Sequence, residues 1–154
     1  MEFISNTIQI IVFKRSTDGV RYLLLKRSPN DDVYPNIWQV CTGTREENET
    51  PLEALLRELN EETGIQEFLN IWNVPYVATY HSMKRNAICF SPVFAVEISN
   101  TLPIKLSNEH TDFIWTDLDT ATKMMHIPSY ATSLNIVNSY ILNPDSSHLF
   151  LIKL

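Results

Sequence analysis

The sequence predicts an α/β fold in which a mixed β-sheet is covered by helices on both faces. Apolar runs typical of strands occupy the start of the chain and return in its middle. A helix with an apolar stripe lies between those two sets of strands, and further helical patterns follow the second set. Because 154 residues with 44% hydrophobic residues suit one globular core, we expect residues 1–154 to form a single domain.

Two apolar runs near the N-terminus predict a β-hairpin. Residues 8–13 and 21–26 flank a turn-forming segment at 16–19. The N-terminal segment has no basic leader and its apolar run is too short to span a bilayer, so we assign it to the first strand. Lys26 and Arg27 then precede a polar loop. They are either a solvated strand end or cations that contact substrate phosphates.

The central helix has clear start and stop signals. Thr50 can cap its N-terminus, Pro51 suits the first helical position, and Glu53 completes a capping box with Thr50. Gly64 ends the helix, and a short strand over residues 37–42 precedes it. The apolar stripe of the helix consists of four leucines at helical spacing, Leu52, Leu55, Leu56 and Leu59.

The second half of the chain predicts an antiparallel strand pair followed by helices. Residues 71–80 and 87–98 are rich in Val, Ile, Tyr and Phe, as strands are. The elements that follow are a short strand over 113–115, a helix over 118–125 capped by Asp117, and a last helix over 129–142.

The chain is acidic, with a net charge of -6 and a pI near 5.1. No long basic run offsets repulsion from a nucleic-acid backbone or an anionic membrane, so we expect neither as a partner. Cys41 and Cys89 are too few for a disulfide framework and lack metal-site spacing, which favours a reducing, cytoplasmic compartment. Exposed apolar strands could support a homodimer, although no face stands out.

A dense carboxylate cluster lies on the central helix. Glu58, Glu61 and Glu62 emerge as neighbours beside the apolar stripe, and no Lys or Arg at i+4 relieves their repulsion. A hard divalent cation such as Mg²⁺ takes carboxylate oxygens, so this helix edge predicts a place where metal and substrate phosphates meet. The alternative is a solvated acidic face, which is common in proteins.

The full spacing of this segment favours the metal site. Gly43, five residues, Glu49, seven residues, and then RELNEETGI over 57–65 resemble the Nudix box, GX5EX7REUXEEXGU, where U is aliphatic. Seven fixed letters and two aliphatic positions would arise by chance in such a chain well under about once in a million. The strand IWQVCTG before the box and the segment NEHTDFIWTDLD after it resemble the branch of this MutT-like family that includes dihydroneopterin triphosphate pyrophosphatase.

The resemblance implies a Nudix-type α/β/α sandwich and a role for individual residues. Mg²⁺, with Mn²⁺ as an alternative cation, is implied to bind at Glu58, Glu61 and Glu62, and Glu62 to act in catalysis together with Glu61. Glu109, in the EH pair, is implied as a fourth metal carboxylate. The alternative for Glu109 is an exposed loop acid.

Further roles in the site concern support and substrate binding. Glu49 and Arg57 are implied to support the loop and helix as a pair, with catalysis a secondary role for Arg57, and Gly64 is structural. The candidate substrate contacts are Lys26, Arg27, Trp38 and Gly43. The flat part of a substrate needs an apolar slot, although aromatic residues in strands mostly fill cores; the available aromatics are Tyr34, Trp38, Tyr80, Phe90 and Trp115.

The implied activity is that of a pyrophosphohydrolase, a hydrolase acting on acid anhydrides. It is Mg²⁺-dependent hydrolysis of a diphosphate linkage in a nucleoside or pterin triphosphate, releasing pyrophosphate and the monophosphate. Two alternatives stay open: a hydrolase of dinucleoside polyphosphates or nucleotide sugars, and a non-catalytic domain that binds a nucleotide as a regulatory ligand. His81, His110 and His126 have no partner at metal or triad spacing, so the sequence assigns them no role.

Overall fold

Helices cover both faces of one eight-stranded mixed β-sheet, which confirms the predicted α/β architecture. The computed structural model describes residues 1–154. Its strands are β1 (Glu2–Ile4), β2 (Thr7–Ser16), β3 (Gly19–Arg27), β4 (Trp38–Gln39), β5 (Cys41–Thr44), β6 (Asn70–Ser82), β7 (Ala87–Ile98) and β8 (His110–Thr116). Its helices are α1 (Pro51–Thr63), α2 (Leu118–Met124), α3 (Pro128–Ile136), which continues as a π-helical turn over Val137–Ile141, and α4 (Ser147–Phe150). No helix is both long enough and apolar enough to cross a membrane.

Strand β2 lies at the centre of the sheet because it pairs with three other strands. It runs antiparallel to β3 and β5 and parallel to β7. Strand β6 pairs antiparallel with β7, and β8 pairs antiparallel with β3. These pairings confirm the predicted N-terminal hairpin, the predicted antiparallel pair and the short strand after it.

Alternate side chains of β2 enter two hydrophobic cores, one on each face of the sheet. On one face, Ile10 belongs to the same buried cluster as Leu55 of α1. On the other face, Phe13 belongs to the same buried cluster as Leu134 of α3. Each fully buried side chain of this size contributes about 1.5–3 kcal/mol. The sheet is therefore held between α1 on one side and α2 and α3 on the other.

Three predicted strands and helices have different limits in the structure. The strand predicted over 37–42 is split at Val40, because β4 pairs with β3 whereas β5 pairs with β2. The N-terminal segment forms two strands instead of one, since β1 pairs with β7 alone. The helix predicted over 129–142 ends at Ile136 and continues with π-helical geometry, in which the Leu142 N–H donates to the Val137 carbonyl at 3.0 Å.

The apolar stripe of α1 is narrower than the sequence predicts. Leu55 and Leu59 are fully buried and Leu52 is partly buried against the same core. Leu56 is 37% exposed, because the residue after Leu55 is turned about 100° around the helix. Leu56 is thus not part of the core-facing stripe.

Candidate active site

Helix α1 is fixed at both ends by local hydrogen bonds. The Thr50 hydroxyl accepts from the Glu53 N–H at 3.2 Å, and the Glu53 carboxylate accepts from the Thr50 N–H at 2.7 Å, which confirms the predicted capping box. Gly64 ends the helix in the left-handed conformation with φ 72°. Because Leu55 and Leu59 fix the rotation of α1 against the core, the acidic residues beside them face the edge of the sheet.

Arg57 joins three carboxylates. Its Nε and Nη2 atoms donate to the two carboxylate oxygens of Glu49 at 2.8 and 2.9 Å. Its Nη1 atom lies 3.1 Å from Glu58 Oε1 and 3.1 Å from Glu61 Oε2, and its Nη2 atom also donates to the Thr44 carbonyl at 2.8 Å. These contacts, led by the hydrogen bonds from Arg57, lower the pKa of Glu49 to about 2.

The expectation that no cation relieves the acidic cluster is therefore wrong. Arg57 stands four residues before Glu61, so the pair has i,i+4 spacing with the cation on the N-terminal side. The sequence argument considered only cations placed after the acids. The structure brings Glu49, Arg57, Glu58 and Glu61 together.

Glu58 is held in a space that only a glycine leaves open. Its Oε1 atom accepts from the Thr44 N–H at 2.9 Å. A Cβ atom on Gly43 would lie 2.2 Å from Glu58 Cγ, well inside any real contact distance. Burial raises the pKa of Glu58, and the hydrogen bonds from Thr44 and Arg57 offset this only in part. Gly43 is thus required for the position of Glu58.

Glu62 is buried and held by residues from a different part of the chain. Its Oε2 atom accepts from Ser107 Oγ at 2.8 Å and lies 2.8 Å from His110 Nδ1. Burial acts to raise the pKa of Glu62, but the contacts from His110 and Ser107 outweigh it, so its pKa lies below the ordinary value. His110 in turn lies 3.0 Å, through Nε2, from Gln39 Nε2.

His110, Gln39 and Ser107 are the site residues that sequence reasoning missed. They come from the start of β8, from β4 and from the loop before β8, so no fixed spacing links them to α1. The signals in the sequence were the EH pair, in which His110 follows Glu109, and the segment IWQVCTG, which contains Gln39. Glu109 lines the same cleft as Glu62. Burial and the neighbouring Glu62 carboxylate raise the pKa of Glu109.

An open cleft of about 1200 Å³ runs along this edge of the sheet. Six of the sequence-predicted site residues line it: Arg27, Gly43, Glu58, Glu61, Glu62 and Glu109. Two of the five candidate aromatics, Tyr34 and Tyr80, also line it, as do His81 and His126. The lining also includes Lys84 and Arg85 from the loop between β6 and β7.

Other predicted site residues lie outside the lining of the cleft. Lys26 Nζ lies 6.0 Å from the ring centroid of Trp38, and neither residue lines the cleft. Trp115 packs against the core below α1, and Phe90 stacks on Phe3 with 6.0 Å between ring centroids. The structure therefore does not bring these residues to the carboxylates.

The carboxylates that line the cleft suit a divalent cation that keeps bound water. No three acidic, histidine or cysteine side chains are close enough to enclose a metal ion by themselves. Mg²⁺ keeps several waters and binds through one or two carboxylates together with substrate phosphates. The arrangement of Glu58, Glu61, Glu62 and Glu109 along one cleft therefore fits a cation whose shell is completed by water and phosphate oxygens.

Comparison with protein families agrees with this geometry. Residues 6–135 match the family model described as NUDIX domain. The chain belongs to the Nudix family. The matched range extends from the residue before β2 into α3, so it includes the box, the cleft and Glu109.

Two relatives of this Nudix chain have curated activities. A dihydroneopterin triphosphate diphosphatase from Haemophilus influenzae is 26% identical over 156 residues, a match that covers 93% of this chain and 92% of that protein. An octanoyltransferase from Myxococcus xanthus is 31% identical over 119 residues, or 77% of this chain. The match spans only 32% of the length of the octanoyltransferase.

A solved structure supports the Nudix fold independently of sequence. A NUDIX hydrolase structure from Listeria monocytogenes superposes with a TM-score of 0.77 at 19% identity, and the match covers 100% of both chains. At that identity the likeness concerns the fold alone. The fold is thus the Nudix α/β sandwich.

Proposed function

We propose that this protein is a divalent-cation-dependent pyrophosphohydrolase that cleaves a diphosphate linkage in a nucleoside or pterin triphosphate and releases pyrophosphate and the monophosphate. The observation that carries the proposal is the cleft in which Glu58, Glu61, Glu62 and Glu109 lie together beside an intact Nudix box. The similarity to a dihydroneopterin triphosphate diphosphatase over almost the whole of both chains supports a triphosphate substrate.

In this proposal Glu58, Glu61, Glu62 and Glu109 hold Mg²⁺, or Mn²⁺ in its place. When bound, the cation supplies positive charge that neutralises the phosphate oxygens and acidifies water. Arg57 keeps Glu58 and Glu61 in position through its two contacts of 3.1 Å. Gly43 gives Glu58 the space it occupies.

Glu62 is the carboxylate that we assign to the attacking water. Its Oε2 atom is occupied by Ser107 and His110, whereas no N–H group or hydroxyl of the protein donates to its Oε1 atom. The Glu109 carboxyl also lies within hydrogen-bonding reach of the Glu62 carboxylate. We assign Oε1 to orient a water of the cation's shell and to accept its proton. In the reaction a new P–O bond forms to the water oxygen, Glu62 takes the proton of that water, and the P–O bond between the attacked phosphorus and the oxygen that bridges the α- and β-phosphates breaks, which yields pyrophosphate and the monophosphate.

The phosphates and the flat part of the substrate need further contacts. Arg27 stays a candidate for the phosphates because it lines the cleft, although its guanidinium already pairs with Asp31 at 2.5 Å. Lys84 and Arg85 line the cleft whereas Lys26 does not, so they are better placed than Lys26 to contact the outer phosphates. Tyr34 and Tyr80 are the candidates for stacking on a base or pterin.

The test is a substrate panel with the purified protein. Nucleoside triphosphates, dihydroneopterin triphosphate, dinucleoside polyphosphates and nucleotide sugars are incubated with Mg²⁺, and pyrophosphate and phosphate release is measured with and without a chelator. We expect chelator-sensitive release of pyrophosphate from one or more triphosphates.

Other outcomes of the panel would overturn the proposal. Hydrolysis of dinucleoside polyphosphates or nucleotide sugars alone would keep the chemistry and replace the substrate class. Binding of a nucleotide without turnover of any compound would indicate a regulatory Nudix domain instead of an enzyme.

A further inference from the structure

We propose that His110 is a positioning residue for Glu62, and that Gln39 and Arg27 fix the imidazole tautomer that this role requires. The inference rests on the proposed function, because it takes Glu62 to be the carboxylate that handles the water. It concerns side chains that lie outside the Nudix box, in the segments IWQVCTG and NEHTDFIWTDLD and at the end of β3, to which the sequence assigned no role in holding Glu62.

Four side chains form a continuous line of polar contacts from the cleft to Glu62. Arg27 Nη1 donates to Gln39 Oε1 at 3.2 Å. Gln39 Nε2 lies 3.0 Å from His110 Nε2, and His110 Nδ1 lies 2.8 Å from Glu62 Oε2. Apart from Arg27, these residues are nearly inaccessible to solvent: as whole residues, Gln39 is 1% exposed, Glu62 4% and His110 7%.

The sheet geometry explains why residues so far apart in sequence meet. The β3–β8 pairing shifts register between Lys26 and Arg27, so that Arg27 stands opposite His110. Such an irregularity turns a side chain to a new direction. Strand β4 pairs with β3 so that Gln39 stands opposite Leu25, two residues before Arg27 and on the same face of the strand. The shift therefore sets Arg27, Gln39 and His110 side by side.

The chemistry of these groups leaves one arrangement of protons. A guanidinium can only donate, so Gln39 must present its oxygen to Arg27 and its NH₂ group to His110. His110 Nε2 must then accept, which puts the ring proton on Nδ1. That proton points to the side of the ring where Glu62 lies. Arg27 thereby determines, through Gln39, which imidazole nitrogen donates.

The donor on Nδ1 has Glu62 as its sole acceptor. The contact of 2.8 Å is short but bent away from ideal hydrogen-bond geometry, and Nδ1 has no other partner in its buried surroundings. Ser107 donates to the same Oε2 atom, so both donors hold one oxygen of Glu62 and neither of them contacts Oε1. With the other tautomer, a lone pair on Nδ1 would face the carboxylate and repel it.

The first test reads the tautomer directly in metal-free, substrate-free protein. In ¹⁵N-labelled protein at about pH 8, where an ordinary imidazole is neutral, a long-range ¹H–¹⁵N correlation spectrum distinguishes the protonated ring nitrogen from the other one. The His110 signals are assigned by their loss in His110→Asn. We expect Nδ1 protonated and Nε2 unprotonated. A wild-type His110 with its proton on Nε2 would overturn the proposal without any variant.

Two substitutions of Gln39 test how the tautomer is set. Gln39→Leu removes the donor to Nε2, and Gln39→Glu keeps the partner of Arg27 but offers Nε2 an acceptor instead. We expect Nε2 to become protonated in Gln39→Glu and to be protonated in part in Gln39→Leu. Gln9→Leu is the matched control, since Gln9 is also a buried glutamine of the sheet but bonds Ser129 and Ser133 instead. An unchanged tautomer in both Gln39 variants, or a change in Gln9→Leu, would contradict the proposal.

A second measurement separates positioning from simple structural support. We expect Gln39→Leu to lower kcat about 10- to 100-fold, the range found for residues that orient a metal ligand, with KM for the substrate nearly unchanged. A loss explained by a lower Tm alone, with normal kcat in the folded fraction, would make His110 a structural residue. Because the tautomer is read without substrate, an inactive wild-type protein would refute the proposed function and leave the tautomer result interpretable.

Discussion

The two halves of the carboxylate site are built in different ways. Around Arg57, every contact comes from within the box segment: Glu49 and Glu61 pair with it, and the Glu61 side chain is 54% exposed. Around Glu62, the partners come from distant strands and loops, and the side chains of Glu62 and His110 are 6% and 4% exposed. The Arg57 half is built from residues close in sequence and is open to solvent at Glu61. The Glu62 half is built from residues distant in sequence and is buried.

Because they are built differently, the two halves of the site suit two different tasks. Charge pairs near solvent are worth little individually, but a network around one bidentate arginine fixes the geometry of several carboxylates. A buried carboxylate must have its hydrogen bonds satisfied, and each of those bonds also restricts its orientation. We infer that the Arg57 half holds the cation ligands Glu58 and Glu61 in place, while the Glu62 half sets the direction of a single oxygen.

The largest effect is expected from Glu62→Gln, which tests the role of the buried half. An amide oxygen can still accept from Ser107 and His110, so we expect the fold and Tm to be kept. The charge and the basic oxygen are lost, so we expect kcat to fall by at least about a hundredfold. Steady-state kinetics with Mg²⁺ and a thermal melt measure both quantities. Turnover close to that of wild type would remove Glu62 from the chemistry.

The next largest effect is expected at Arg57. Arg57→Ala leaves Glu58 and Glu61 without their shared cation, and we expect kcat/KM to fall about 10- to 100-fold, as for other residues that support metal ligands. Arg57→Lys keeps the charge but not the two-pronged contact with Glu49, so its activity should lie in between. The assay is kcat/KM over a Mg²⁺ titration.

Lys123→Ala is the control for Arg57. Lys123 pairs with Asp119 at the same i,i+4 spacing and at 2.8 Å, but on α2 and away from the cleft. We expect its activity to match wild type. An equal loss in Lys123→Ala and Arg57→Ala would mean that general stability, and not the carboxylate network, explains the effect.

The division between the Arg57 half and the Glu62 half also separates the features that the sequence predicts from those that it does not. The capping box of α1, the N-terminal hairpin and the antiparallel strand pair were predicted, because they depend on short spacings and on periodicity. The Glu49–Arg57 pair was implied by the resemblance to the Nudix box. The roles of Gln39, Ser107 and His110 were not, because they depend on strand pairing and on a register shift that leave no spacing to recognise. Lys26 and Trp38 were proposed as substrate contacts because a phosphate needs a cation and a flat ring needs an aromatic partner, and they lie outside the lining of the cleft.

A smaller effect is expected from Gly43→Ala, which probes the contact between the β5 strand and Glu58. The added Cβ would lie 2.2 Å from Glu58 Cγ, so the glutamate must move. We expect a loss of about 1–3 kcal/mol in the free energy of unfolding, as in other overpacked sites, together with weaker Mg²⁺ dependence of activity. Urea unfolding and a Mg²⁺ titration measure these two effects.

Gly19→Ala is the control that separates the loss of stability in Gly43→Ala from the change in its Mg²⁺ dependence. Gly19 has φ 108° with nothing within 4 Å of an added Cβ, so alanine there strains the backbone without touching the cleft. We expect a stability loss with unchanged activity per folded molecule. If Gly43→Ala behaved in the same way, the position of Glu58 would not matter for cation use.

The smallest expected effect concerns the pH dependence of stability in the Arg57 half. The folded protein holds the pKa of Glu49 at about 2, whereas an unfolded glutamate has a pKa of about 4.3. A lowered pKa stabilises the folded state above the unfolded pKa, and this contribution is lost as the pH falls toward the folded pKa. The loss should therefore occur between about pH 4.3 and about pH 2.

Glu49→Gln removes that titration and leaves the rest of the loop unchanged. Urea midpoints measured at about pH 6 and about pH 3 should show wild type clearly more stable than Glu49→Gln at the higher pH, with a smaller difference at the lower pH. Glu47→Gln, in the same loop but exposed, is the control and should follow wild type at both values. A constant difference between wild type and Glu49→Gln would mean that Arg57 holds the loop by shape and hydrogen bonding, not by the charge of Glu49. In that case the local half of the site would resemble the buried half more closely than its exposure suggests.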